Sequence, residues 1–329
     1  MSATSGRLLA GVDVGGTKVL GVLVDPDDPG TVVDEVRVPT PNGEAAVLDT
    51  MADAVRRLAA GAPGAADGIG AVGVGIAGLV DRSGILRVGP NLPGLHGVRV
   101  GDELDRRLSL PIRVDNDVTC AAWGEYLAGA ARGERDVACV ALGTGIGGGF
   151  IADGDLVRGA RGYAAEFGHM VVDPRGPECP CGRRGCWERF ASGSGLGWLA
   201  REAAAAGRFA RGVELAGSVE ALQGEHVTVA AADGDEGALA IISTFADWVA
   251  LGIGNLVAVL DCSLVVIAGG LVEIGDLLLD PVREAVPPHV MGYVERDLRI
   301  VPAELGEHAG AIGAALLGGR EAAELVDRR

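Results

Sequence analysis

Leu8-Leu-Ala-Gly-Val-Asp-Val-Gly-Gly-Thr-Lys18 is the stretch from which the fold is read. Leu8–Val14 is an apolar run with Asp13 near its end, as a buried strand requires. Gly15, Gly16 and Thr17 make a tight turn, and Lys18–Val24 returns as a second strand. Glycines let backbone N–H groups approach phosphate oxygens, and the threonine hydroxyl adds a donor. The design recurs at Leu142-Gly-Thr-Gly-Ile-Gly-Gly148: strand, glycine turn with Thr144, strand. One such hairpin is as readily an ordinary glycine turn. Two similar copies, one per half, point to phosphates clamped by Gly15–Lys18 and by Gly143, Thr144 and Gly145. Neither copy is G-x-x-x-x-G-K-[ST], so a P-loop is excluded. Gly145-Ile-Gly147 matches a dinucleotide fingerprint only loosely, and no helix follows it. Asp13 would stand on the metal side of such phosphates and hold Mg²⁺ through water. Lys18 is either a phosphate contact or a surface lysine.

Outward from the first hairpin, Pro26–Gly30 reads as a turn and Thr31–Val38 as a third strand. Glu44–Ala60 has helical spacing at Val47, Leu48, Met51, Val55 and Leu58, and Ile69–Ile76 is again a strand. Strand-strand-strand-helix-strand gives a mixed sheet. A short helix at Gly101–Leu108, a short strand at Ile112–Val114 and a helix at Val118–Ala131 follow. The pattern then begins again with strands at Asp136–Leu142 and Gly147–Ala152, and Asp155–Arg158 beyond. Helices are expected at Gly195–Ala206, Val227–Ala232, Gly237–Leu260, Gly275–Ala285 and Gly310–Glu324, with strands at Leu264–Ala268 and Leu298–Val301. The Ala/Gly stretches Ala59–Gly70 and Ala203–Gly207 read as loops or helix ends. The expected division is residues 1–116 with 305–329 as a smaller α/β domain, and residues 117–304 as a larger one. The last helix then packs back on the first half.

Composition narrows the function. The 28 basic residues against 45 acidic ones leave a net charge of −17, and phosphate-backbone binding needs a basic face, so nucleic acid is an unexpected partner. The first ten residues lack a charged segment followed by an apolar one, so no secretory signal is visible. Apolar stretches such as Trp248–Leu260 carry Gly and Asn and are expected to be too short to span a bilayer. Six cysteines with one metal-like cluster fit a reducing cytoplasm better than a disulfide framework.

That cluster is Glu166-Phe-Gly-His169 followed by Cys179-Pro-Cys181-Gly-Arg-Arg-Gly-Cys186-Trp-Glu188. Three thiols and the imidazole of His169 suit a tetrahedral Zn²⁺, and four protein ligands leave no open position, so the metal would be structural. Pro180 and Gly182 hold a turn that lets two sulfurs converge, and Gly185 lets the loop double back to deliver Cys186. Unliganded thiols, or a disulfide with an odd thiol left over, are the alternatives. Such a loop would fix Glu166, His169 and Glu188 relative to one another, as a hydroxyl-rich ligand requires. Asp115-Asn116-Asp117 sits where a strand ends and a helix begins, so Asp115 or Asn116 could equally be a helix cap. Asn91, in Pro90-Asn-Leu-Pro-Gly94, lies in a loop after a strand and could be a turn former. Val265–Leu271 runs a strand into Gly269-Gly270, where an adenine ring could lie against backbone.

Taken together these blocks resemble the ROK family of sugar kinases, within the actin-like ATPase superfamily. The blocks are D-V-G-G-T-K, V-D-N-D, L-G-T-G-I-G-G-G, and E-F-G-H with C-P-C-G-R-R-G-C-W-E, and in this order they cover nearly the whole chain. The likeness is greatest to the bacterial, especially actinobacterial, glucokinases of that family. It implies a two-domain α/β fold of the actin-like, ribonuclease H-like type with a cleft between domains, and with ATP and sugar as ligands. It implies Asp117 as the base for the sugar's 6-hydroxyl, with Asn91, Asn116, Glu166, His169 and Glu188 on the other hydroxyls. Gly78 matches the family's sugar-side loop, although Ala77 stands where proline is common. The activity implied is ATP-dependent phosphorylation of glucose, the alternatives being another hexose, an N-acylated hexosamine such as N-acetylmannosamine, or a silent sugar-sensing regulator. The family's repressors carry a DNA-binding domain ahead of the first hairpin, and none is expected before Leu8. A symmetric homo-oligomer, dimer or tetramer, is the expected assembly.

Overall fold

The computed structural model describes residues 7–61 and 68–327. Its first strands, β1 (Leu8–Val14), β2 (Lys18–Asp25) and β3 (Asp28–Pro39), form an antiparallel meander. β3 starts earlier than expected, because the turn after Asp25 is tight enough for Asp28 to pair with it. Helix α1 (Glu44–Gly61) buries Val47, Leu48, Met51, Val55 and Leu58, the expected stripe. Strand β4 (Ile69–Ile76) follows; residues 62–67, within the stretch read as a loop, lie outside the described residues. Three short strands not expected from sequence, β5 (Leu79–Val80), β6 (Ile85–Val88) and β7 (Val98–Arg99), make a small antiparallel sheet. Helix α2 (Val100–Leu108), strand β8 (Ile112–Asn116) and helix α3 (Asp117–Ala128) complete this part. α3 stops before the expected Ala131, because the Glu125 side chain folds over Gly129 and accepts the N–H of Ala130 at 2.9 Å.

The second series is β9 (Val137–Leu142), β10 (Ile146–Ala152) and β11 (Asp155–Leu156), then α4 (Glu188–Ala191), α5 (Gly193–Ala205), α6 (Ala210–Ala216), α7 (Gly224–Ala232) and α8 (Glu236–Leu260). It ends with β12 (Leu264–Ala268), α9 (Asp276–Ala285), α10 (Tyr293–Arg296) and β13 (Arg299–Pro302), and the last helix is α11 (Ala309–Asp327). The two sheets have the orders β3-β2-β1-β4-β8 and β11-β10-β9-β12-β13. Each is three sequential strands with the fourth and fifth added beside the first, and the added strands run parallel to it. The repeat expected from the two glycine hairpins is therefore a repeat of topology.

The chain divides into two units, one holding the chain as far as Arg135, Gly149–Ala165 and the chain from Glu304 onward, the other Asp136–Gly148 and Glu166–Ala303. The expected boundary at residue 116 assigned α3 to the larger domain. The structure groups α3 with the first unit, because α11 lies on it: a Cβ on Gly313 would come 1.7 Å from the Cys120 carbonyl oxygen. The same helix lies on β1 and β4, where a Cβ on Gly11 or Gly73 would meet the carbonyl oxygens of Ala311 and Ala314 at 1.8 and 1.6 Å. The last helix thus packs on the first half, as expected.

In the second unit α8 is the central helix. Trp187 is fully buried against it, donating from its indole nitrogen to the Trp248 carbonyl at 2.7 Å, and its ring fills the space left by the missing side chain of Gly252. α8 has 25 residues and is long and apolar enough by composition to cross a membrane, which corrects the expectation that no stretch reaches that length. More than half of its most apolar window is buried inside the protein, as a core helix requires.

Candidate active site

In the first unit the parallel strands β1, β4 and β8 all end on one edge. Their register aligns Asp13 with Gly75, and Gly75 with Asp115. Loops at the carboxyl ends of parallel strands are where α/β sheets hold ligands. This edge carries Gly15–Lys18 after β1, Gly78 after β4, and Asn116 and Asp117 at the passage from β8 to α3. Asn116 caps α3, its Oδ1 accepting from the Thr119 N–H at 2.9 Å. Its Nδ2 donates to the Gly78 carbonyl at 3.1 Å and to Asp117 Oδ1 at 2.8 Å. Asn116 is thus both the cap and the bridge between Gly78 and Asp117. Gly78 sits at φ +139°, with the Val88 carbonyl 2.2 Å from where a Cβ would be, so only glycine fits there.

Asp13 and Asp117 both keep some solvent access, yet both are crowded by protein. That crowding, with the Asp117 charge added, pushes the Asp13 carboxyl up to about 7 against a weak opposing pull from Lys18. Burial likewise raises Asp117, while hydrogen bonds from backbone N–H groups and from Asn116 work against the rise. An Asp13 carboxyl whose charge is disfavoured by burial and by Asp117 is a group that a divalent cation would suit. Asp13 also lies under the start of α11, where a Cβ on Gly310 would fall 3.0 Å from its carboxyl carbon.

The first glycine turn is closed by the Gly15 N–H donating to the Lys18 carbonyl at 3.0 Å, and Thr40 Oγ1 donates to the Gly15 carbonyl at 2.7 Å. Gly16 lies against Asn91, whose carbonyl oxygen is 2.9 Å from a Cβ position, so the turn and the Asn91 loop meet. Lys18 pairs with Glu307 at 2.6 Å, and Arg37 reaches the other oxygen of the same carboxylate at 2.5 Å. Those two hydrogen-bonded cations hold Glu307 down to about 2.

In the second unit the donor atoms of His169, Cys179, Cys181 and Cys186 all lie within 4.8 Å of one another. Cys181 and Cys186 sulfurs are 3.5 Å apart, and Cys179 Sγ is 3.8 Å from His169 Nδ1. A zinc tetrahedron with bonds of ~2.3 Å has edges of roughly 3.7 Å, so the four residues fit the metal. Their loop is built by its glycines. Gly182, at φ +88°, closes the turn by donating to the Cys179 carbonyl at 2.9 Å. Gly185, at φ +68°, passes so close to Asp173 that a Cβ would fall 1.5 Å from its carbonyl oxygen. Arg183 donates to the His169 carbonyl at 2.7 Å and ties the loop to the E-F-G-H turn. Burial pushes the Cys179 thiol up. Burial opposes ionisation of Cys181 too, but the Arg183 backbone N–H and the neighbouring thiols outweigh it and bring Cys181 down to about 6.

The loop brings two carboxylates to His169: Glu188 Oε1 is 3.6 Å from Nδ1, and Glu166 Oε2 is 4.0 Å from Nε2. Glu188 Oε1 also accepts from Cys179 Sγ at 3.0 Å. The second glycine turn is in the same neighbourhood, since a Cβ on Gly145 would lie 2.7 Å from Glu188 Oε2. Gly143 donates to the Gly145 carbonyl at 3.0 Å, and its own carbonyl accepts from the Gly193 N–H at 2.8 Å. Ser194 Oγ donates to the Thr144 carbonyl at 2.8 Å. Gly269, at φ +86°, runs against Leu142, and Gly270 is exposed at the end of β12.

The chain matches the ROK family over residues 9–321. It belongs to that family. The ROK relatives include a glucokinase of Streptomyces coelicolor, 38% identical over 94% of this chain and 96% of that protein. An N-acetylmannosamine kinase of Citrobacter koseri is 34% identical over 93% of this chain and 97% of its own length. Among solved structures, a ROK family glucokinase from Streptomyces griseus in complex with glucose and AMPPNP superposes with a TM-score of 0.82 at 37% identity, covering 95% of this chain and 99% of that one. The two-domain, actin-like α/β class of the ROK family is therefore the fold of this chain, and the chain is a hexose kinase by kinship.

Sequence reading missed two partners around these sites, Arg158 and Glu307. Asp115 is buried and paired with Arg158. Glu307 engages Lys18. The Asp115 carboxylate is visible in the D-N-D triplet, but its partner lies on another strand's loop and leaves no local signal.

Proposed function

We propose that the chain is an ATP-dependent glucokinase that transfers the γ-phosphoryl group to the 6-hydroxyl of glucose. The observation that carries the reading is Asp117, held by Asn116 at the carboxyl edge of the sheet beside Asp13, in a chain related to a glucokinase over 94% of its length. In this reading Asp117 accepts the hydroxyl proton as the bond to phosphorus forms. Gly78, Asn91, Asn116, Glu166, His169 and Glu188 hold the remaining hydroxyls. Gly15, Gly16, Thr17 and Lys18 on one hairpin, and Gly143, Thr144 and Gly145 on the other, line the phosphates, with Gly269 and Gly270 beside the adenosine. Asp13 would hold Mg²⁺ through water, and such an ion would supply positive charge against the triphosphate. His169, Cys179, Cys181 and Cys186 hold a structural zinc, which fixes the loop that carries Glu188. Phosphoryl transfer is chiefly positioning and electrostatics, and these groups supply both. A homodimer or tetramer in the cytoplasm completes the reading.

The relative from Citrobacter koseri supports a second reading, a kinase for an N-acylated hexosamine. A coupled assay over glucose, mannose, fructose, N-acetylglucosamine and N-acetylmannosamine separates the two, and absence of turnover on every sugar would favour a silent sensor. The base is tested by Asp117→Asn, which keeps shape and a hydrogen bond but accepts no proton. Turnover is expected to fall at least about 10²-fold, with glucose affinity by calorimetry little changed. Asp115→Asn leaves Asp117 its carboxylate and is expected to cost less than Asp117→Asn. Should Asp115→Asn be the dead variant and Asp117→Asn the active one, the base is misassigned.

A further inference from the structure

Asp115 is 3% exposed, and two arginines face it. Arg158 Nε lies 2.6 Å from Oδ2, and an Arg113 terminal nitrogen lies 3.5 Å from the same oxygen. Arg113 also serves Glu321 at 2.9 Å, which leaves Arg158 as the close counter-charge. The Arg158 Nε–H is not aligned as a hydrogen bond, so the contact is one of charge. The other oxygen of Asp115 accepts the backbone N–H of Asn116 at 3.0 Å. Asn116 then donates to Asp117 Oδ1 at 2.8 Å. The groups form one continuous path from Arg158 through Asp115 and Asn116 to Asp117.

Arg158 itself is held at a set place. Its carbonyl accepts from the Ala164 N–H at 3.2 Å, and the preceding Val157 N–H donates to Phe150 at 2.8 Å. On its other side, the Gly159 carbonyl accepts from Arg82 Nε at 2.7 Å and the Arg161 carbonyl from the Arg82 N–H at 3.0 Å. Stability alone does not call for such a pair, since buried ion pairs are commonly replaceable by apolar residues without loss. A rigid anchor behind a reacting carboxylate has a different use, because a displacement of about 1 Å can cost a hundredfold in rate.

We infer that Arg158 is a positioning residue for phosphoryl transfer, its guanidinium holding Asp115 so that Asn116 presents the Asp117 carboxylate. This rests on the proposed reading of Asp117 as the base. The test compares Arg158→Gln, Arg158→Lys and the double variant Asp115→Asn/Arg158→Gln with wild type, as the full chain purified with zinc and assayed with Mg²⁺-ATP. Arg158→Gln is expected to lower kcat by roughly 10- to 100-fold, with KM for glucose and ATP within about threefold. Arg158→Lys keeps a positive charge against Asp115 and is expected to recover most of the lost kcat. Where Arg158→Gln does not fold, the double variant, which buries no uncompensated charge, carries the test and is expected to show the same loss of kcat with normal melting. A folded Arg158→Gln or double variant whose kcat stays within about threefold of wild type overturns the inference, as does a loss confined to KM. Asp117→Asn run in parallel keeps the two ideas apart. If it retains turnover, the base assignment fails. If it is dead while Arg158→Gln is unaffected, only the positioning role fails.

Discussion

Ala165 carries a backbone φ of +66°, in the left-handed region, directly before Glu166 and at a passage from one unit to the other. An L-residue with a Cβ pays about 1–2 kcal/mol there, and glycine does not. Glycine also loosens the unfolded chain, which offsets ~0.4–1 kcal/mol of the relief. Ala165→Gly is therefore expected to leave the urea midpoint unchanged or slightly raised, while Ala165→Val lowers it clearly. A drop for the glycine variant equal to that for valine would show that the site is unstrained. Asp13 makes a second residue-scale prediction. Burial, with the Asp117 charge added, pushes its carboxyl up to about 7 from the usual 3.8. Between those values the folded state holds a proton that the unfolded chain has released. The associated stability is present below pH ~4 and is lost as pH rises through about 7, with a slope of at most ~1.4 kcal/mol per pH unit. Asp13→Asn removes this dependence. In Mg²⁺-free buffer, urea melts at several pH values are expected to show the variant gaining on wild type as pH rises from 5 to 8. A constant difference across that range would place the Asp13 carboxyl in the ordinary range.

At the level of elements, the glycines of the first sheet explain how α11 comes so close. Gly73→Ala would put a methyl group 1.6 Å from the Ala314 carbonyl oxygen, so the helix has to move. We expect a loss of about 3 kcal/mol or more, or no folded protein. Gly97→Ala is the contrast: φ is +71° but nothing lies within 4 Å, so only the backbone term of about 1 kcal/mol applies. Equal melting temperatures for the two variants would show that α11 does not seat as described. These contacts were not legible in the sequence. The 3.6-residue pattern of Gly310–Glu324 announces a helix, but the need for glycine at Gly73 appears only once α11 lies across β4. The small β5–β6–β7 sheet was also missed, since its strands are too short for alternation to register. The cluster of three cysteines and His169 was legible because cysteine spacing and glycine turns are local features.

For the whole molecule, the chain passes between its two units at residues 135–136, 148–149, 165–166 and 303–304, yet the four candidate zinc ligands lie in one of them. Protein purified without chelator is expected to hold about one zinc per chain. Removing it with a strong chelator is expected to deprotect residues 166–190 in hydrogen exchange while β1 and β2 keep their protection. Cys186→Ser should reproduce that pattern and weaken glucose binding more than ATP binding. Uniform loss of protection along the chain, or a zinc-free native protein, would remove the local role given to the metal.

What the sequence alone determined is what depends on neighbours along the chain: alternation and helical period, glycine turns after Val14 and Leu142, a helix start at the D-N-D triplet, and four candidate metal donors within one short stretch. The repeat of those local patterns was enough to expect two similar α/β halves, and the two sheets share one strand order. The tertiary structure decided what depends on distant segments. It brought Arg158 to Asp115 and Glu307 to Lys18, crowded Asp13 until its carboxyl rose, and put α3 in the unit that α11 covers. Charge partners and desolvation are properties of packed surfaces. Their strength is set by distances between residues far apart in sequence, and no local period encodes those distances.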